Sequence, residues 1–65
     1  MNWYRVYYCH PLAGTINYAV KAESPENALK RWTSFQGYLE TPSRAGVEDN
    51  PLTEVEVETI YNKMR

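Results

Sequence analysis

From Trp3 to His10 nearly every residue is aromatic or apolar, and Pro11-Leu12-Ala13-Gly14 then supplies turn chemistry before a second such run starts at Thr15. The pattern predicts a β-hairpin with strands over 3–10 and 15–22. Period-two alternation sorts its side chains onto two faces. Tyr4, Val6 and Tyr8 with Ile16, Tyr18, Val20 and Ala22 form the more apolar set, and Trp3, Arg5, Tyr7 and Cys9 with Thr15, Asn17, Ala19 and Lys21 form the other. At Ser24 the period lengthens. Ser24 is a good N-cap, Pro25 suits the first helical position where no donor is needed, and Glu26 places a carboxylate near the positive end of the helix dipole. Ala28, Leu29, Trp32 and Phe35 then recur at helical spacing, which predicts a helix over 25–36 whose apolar stripe covers the first face of the hairpin.

Gly37 falls where that helix should stop. Residues 38–51 have no period and contain Pro42 and Pro51, so a long loop over 37–52 is expected, functional or mobile, with Tyr38 and Leu39 tucked against the core. Beyond it Val55, Val57 and Tyr61 alternate with Glu54, Glu56 and Glu58, as in a strand over 53–61 with its glutamates outward. A helical period competes, because Val57, Ile60, Tyr61 and Met64 are also spaced as one helix face behind Asn50-Pro51. The alternating β-branched valines favour the strand. Residues Asn62 to Arg65 are expected to fray. The order β-β-α-β with a right-handed crossover sets the third strand beside the first. The expectation is therefore one small α+β domain over 1–65: a three-stranded antiparallel sheet, order 2-1-3, with one helix on one face and the other face open.

Size and charge narrow the function. A chain of 65 residues supports a single modest core worth roughly 3–5 kcal/mol. Cys9 is the only cysteine and His10 the only histidine, which excludes an internal disulfide and the usual closed zinc sites and suits a reducing compartment. No apolar run approaches the roughly 20 residues that span a bilayer, and Met1-Asn2-Trp3-Tyr4-Arg5 lacks the pattern of a signal peptide. A cytoplasmic protein without membrane contact is expected. A formal charge of −1 offers phosphate little attraction.

Catalytic constellations are weak. Cys9 and His10 are neighbours on a predicted strand and point to opposite faces, so the imidazole cannot activate the thiol without a bulge. Glu54, Glu56 and Glu58 share a face at a spacing that could bind a divalent cation, but a solvated face pairing with Arg5 and Lys21 explains them as well. No catalytic residue, metal or cofactor is implied. The aromatic content is the unusual feature, with six Tyr and two Trp. Tyr4, Tyr8, Tyr18 and Trp32 are assigned to the core, and Trp3 and Tyr7 to the surface.

The hairpin that starts Tyr4-Arg5-Val6-Tyr7, followed by Ala19-Val20-Lys21-Ala22-Glu23-Ser24-Pro25-Glu26-Asn27-Ala28-Leu29, resembles the small ββαβ proteins of bacteriophages and plasmids, the DpnD/PcfM-like group being the nearest. The likeness covers the first half of the chain. It implies a protein that binds and inhibits a host factor, such as a restriction or CRISPR component, and it brings no catalytic residues with it. The expected contact residues are Trp3, Arg5 and Tyr7 on the open sheet face and Arg44, Glu48 and Asp49 in the long loop. The alternative is a single-stranded nucleic-acid binder that stacks bases on the same aromatics. Self-association as a homodimer is a further expectation, since a small sheet with two edges and one bare face gains from burying either.

Overall fold

The computed structural model describes residues 1–63, so the final two positions of the expected frayed end, and Met64 of the competing helical period, lie outside it. The chain runs β1 (Asn2–His10), β2 (Gly14–Ala22), α1 (Pro25–Phe35), β3 (Ala45–Val47) and α2 (Glu54–Lys63). All neighbours in the sheet are antiparallel and the strand order is β2-β1-β3, the order the crossover argument requires. Two helices flank the sheet where one was expected. The third strand is also a different segment, because residues 54–63 are helical and the pairing with β1 is made by three residues inside the stretch read as loop.

The hairpin holds Tyr4 opposite Val20, Val6 opposite Tyr18 and Tyr8 opposite Ile16. Its turn is closed by a side chain, since the N–H groups of Leu12 and Ala13 both donate to His10 Nδ1 at 3.1 Å. The α1 start is as read from the sequence: Ser24 Oγ accepts from the Asn27 N–H at 3.2 Å and Pro25 occupies the first turn. Its end is a Schellman motif. Gly37 takes φ +85°, its N–H donates to the Ser34 carbonyl, and the Tyr38 N–H reaches back to the Thr33 carbonyl at 3.1 Å. Tyr38 is thereby laid on Trp32, with ring centroids 5.8 Å apart.

The core lies between α1 and the first sheet face. Tyr4, Val6, Ala22, Ala28 and Trp32 are buried, with Tyr8, Tyr18, Val20, Leu29, Ala45 and Val47 packed around them. Trp32 sits among three tyrosines, its ring centroid 5.8 Å from Tyr8 and 5.6 Å from Tyr18 in addition to Tyr38. Four apolar residues assigned inward are exposed: Val55 and Tyr61, because their segment is a helix and not a strand, and Phe35 and Leu39 around the end of α1. Phe35 is 89% exposed because α1 ends there and the last turn overhangs the sheet, and Leu39 is fully exposed beyond the Schellman turn.

After α1 the chain returns along β1 by backbone bonds more than by side chains. Cys9 N–H donates to the Arg44 carbonyl, Glu48 N–H to the Arg5 carbonyl and Leu52 N–H to the Trp3 carbonyl at 2.7 Å. Gly46 stands opposite Tyr7, and a Cβ there would overlap the Tyr7 ring. The close approach needs glycine.

Two outcomes follow from this packing. Trp32→Ala is expected to cost about 3–5 kcal/mol, comparable to the whole stability, and to leave the chain largely unfolded in urea titrations read by circular dichroism. Gly46→Ala is expected to destabilise by about 1–3 kcal/mol through overpacking, and that loss should shrink when Tyr7 is also Ala. Strictly additive effects in the double variant would mean that the ring and the strand do not meet.

Candidate functional site

The second sheet face, expected to be open, is covered by α2. The helix starts at a capping box: Thr53 Oγ1 accepts from the Glu56 N–H at 3.2 Å, and Glu56 Oε1 accepts from the Thr53 N–H at 3.2 Å and from its hydroxyl at 3.1 Å. Val57 and Ile60 are its buried residues, one turn apart. The sequence signal was Thr53-x-x-Glu56, which outweighs the poor helix propensity of two valines. Helical spacing also rotates Glu56 away from the face that Glu54 and Glu58 share, and among the described residues no cluster of histidine, cysteine or carboxylate side chains could hold a metal ion.

Arg5 connects this helix to the sheet. Its Nη2 lies 3.4 Å from Glu56 Oε2 and its Nε 3.7 Å from Glu48 Oε1, so one guanidinium ties the N-terminus of α2 to the chain leaving β3. The Glu56 carboxyl is held below its ordinary value, first by the Thr53 N–H and next by the Thr53 hydroxyl; desolvation opposes these, and the Arg5 charge adds a smaller lowering effect. Arg5 and Glu48 are thus partners of each other rather than free contact residues.

The other expected contact residues fall into two groups. Tyr7 is half-buried against Gly46, and Arg44 and Asp49 flank β3 on the edge away from β2. Trp3 is half-buried under α2, where it meets Tyr61 edge-on at 6.0 Å. The structure therefore separates Trp3 from Tyr7 by function: Tyr7 packs a strand, and Trp3 helps to wall a cleft. Cys9 is exposed with Sγ 3.8 Å from Thr15 Oγ1, while His10 Nδ1 is occupied by the turn, so the two form no nucleophile and base pair.

The cleft runs along the outer side of β2 and encloses about 780 Å³. Tyr18 and Phe35 line it on the α1 side, Trp3 and Tyr61 on the α2 side, and Lys21 and Arg31 bring positive charge to it. Lys21 Nζ lies 6.0 Å from the centroid of the Trp3 ring, and Arg31 Nη1 donates to the Lys21 carbonyl at 2.7 Å. Phe35 and Tyr61 are among the large apolar residues left exposed. Sequence reasoning missed both, since each belongs to an apolar stripe whose helix ends or turns away before the residue can be buried. A comparison of the chain with protein-family models, curated proteins and solved structures finds no match to any of them.

The Glu56 linkage has a definite sign. A carboxyl depressed below its ordinary 4.5 stabilises the fold fully above that pH and loses its contribution as pH falls through the lower folded value. Glu56→Gln is expected to lower the melting temperature at neutral pH, and the gap to wild type should close as the pH falls below 4.5 and through the depressed folded value. A gap that is constant with pH would assign the loss to the cap geometry alone.

Proposed function

We propose that this chain is a small non-enzymatic binding protein, encoded by a phage or mobile element, that docks on a host protein such as a restriction or CRISPR defence component and inhibits it. The observation that carries the reading is the clustering of Phe35, Tyr61 and Trp3 around one cleft with Lys21 and Arg31 at its margin. Aromatic side chains grouped with an arginine are what protein interfaces concentrate at their centres. In a core this small, leaving Phe35 89% exposed forgoes burial that the fold could use. The resemblance of the first half of the chain to small ββαβ phage and plasmid proteins supports the same class. The contact surface in this reading is the β2 cleft, with Trp3 as its one residue among those picked from the sequence.

Single-stranded nucleic-acid binding is the less supported alternative. Its stacking platform was the sheet face that carries Trp3 and Tyr7, and α2 occupies that face.

Affinity capture from a bacterial lysate with mass spectrometry tests the reading when wild type is run beside Phe35→Ser and Lys21→Glu. A discrete partner should be retained by wild type and reduced at least tenfold in both variants, whose melting temperatures stay within about 4 °C of wild type because both sites are exposed. Equal capture by all three would overturn the assignment of the cleft. Sub-micromolar, salt-sensitive binding of an oligonucleotide that is lost in Phe35→Ser would establish the alternative instead.

A further inference from the structure

Strand β2 has one neighbour, and the hydrogen bonds of β1 identify which of its backbone groups are left free. In an antiparallel strand each residue turns its N–H and C=O to one side, and successive residues alternate. Trp3, Arg5 and Cys9 bond to Leu52, Glu48 and Arg44, so the odd positions of β1 face β3 and the even ones face β2. Through the register Tyr4 with Val20, Val6 with Tyr18 and Tyr8 with Ile16, the even positions of β2 point at β1. Thr15, Asn17, Ala19 and Lys21 therefore point outward. The Lys21 carbonyl is capped by Arg31, whereas among the described residues the backbone N–H and C=O of Thr15, Asn17 and Ala19 bond to no other group. The Ala19 and Lys21 end of this edge lies in the cleft between its apolar walls, and the Thr15 and Asn17 end borders the neighbouring hollow that Arg5, Ile60 and Lys63 line.

From this geometry we infer that β2 accepts an added strand: an extended, acidic segment of the partner protein pairs antiparallel or parallel with Thr15 to Ala19 and continues the sheet. The inference rests on the cleft being the binding surface and specifies how it is used. Such an edge is normally blunted by lysine, proline, a bulge or a covering element; β2 has Lys21 near one end, but no proline between Gly14 and Ala22 and an unbroken register with β1. At the Ala19 end, alternate side chains of the added strand would meet Tyr18 and Phe35 on one side and Trp3 and Tyr61 on the other, which is how strand addition combines backbone affinity with side-chain selection.

Charge selects the occupant. Lys21 and Arg31 flank one end of the free edge, and Lys63 lines the hollow beside Thr15 and Asn17 at the other. Glu56, the carboxylate of that hollow, is already matched by Arg5. Strand β2 contains one lysine and no carboxylate, so the β2 of a second copy paired on this edge would bring Lys21 and Lys63 no opposite charge. A partner strand carrying glutamate or aspartate meets the opposite field.

The test uses the whole protein and three seven-residue peptides: alternating Glu and Val, alternating Lys and Val, and a scrambled form of the first. In amide NMR titrations the Glu/Val peptide should shift Thr15, Asn17 and Ala19 and slow their hydrogen exchange, and bind at least tenfold tighter than the Lys/Val peptide. Asn17→Pro removes one outward N–H while keeping a residue tolerated on an edge strand, and Lys21→Glu reverses the field; each should weaken the peptide at least tenfold with the circular dichroism spectrum retained. Absence of binding, shifts confined to other residues, or binding indifferent to Lys21→Glu would overturn the inference. A dimer in sedimentation equilibrium that Asn17→Pro dissociates would overturn it in favour of self-pairing. Loss of lysate capture in Phe35→Ser but full capture by Asn17→Pro would leave the cleft standing as the binding surface and reject strand addition, which separates the two claims.

Discussion

Everything in this fold is arranged around the burial of Trp32. Its ring packs against Tyr8, Tyr18 and Tyr38, which come from β1, β2 and the turn after α1, so one side chain couples three separate stretches of chain. Its indole N–H has no hydrogen-bond partner among the described residues. An unsatisfied buried donor costs about 1–3 kcal/mol, so the aromatic contacts must more than offset that loss. The Schellman turn at Gly37 belongs to the same interaction, because reversing the chain there is what brings Tyr38 over the indole.

The opposite side of the sheet is held in a different way. There the buried side chains of α2 are only Val57 and Ile60, and the placement of the helix depends on polar geometry: the Thr53 capping box and the two carboxylates gathered by Arg5. Glu56 serves both, accepting from the first turn of its own helix and from the guanidinium on β1. The short β3 is likewise held through the backbone, with glycine at its centre so that Tyr7 can lie across it. A hydrophobic layer on one face and a polar clasp on the other leave the β2 edge as the place where apolar surface and unpaired backbone meet.

That division explains the character of the candidate surface. Strand β2 stands at one edge of the sheet, and its outer side is walled by residues that overhang from each helix. Phe35 stands at the last turn of α1 and Tyr61 near the end of α2, so both are carried past the margin of the sheet. Lys21 and Arg31 keep this margin positive in a chain whose net charge is −1.

Local chemistry was enough to read the hairpin with its two faces, the Ser24-Pro25 helix start, the Gly37 stop and the order β2-β1-β3, because each depends on side-chain period, a cap, a left-handed residue or chain chirality, all of which act over a few residues. What it misplaced is what depends on distant partners. The segment Val55-Glu56-Val57-Glu58 alternates like a strand, yet it is helical because Thr53 and Glu56 cap it and Arg5, 51 residues away, receives Glu56. Ala45-Gly46-Val47 has no strand signal of its own, since three residues with a central glycine become a strand only when β1 offers the hydrogen bonds. Whether Trp3 walls a cleft or Phe35 faces solvent was decided by how far each helix extends past a sheet it meets only in three dimensions.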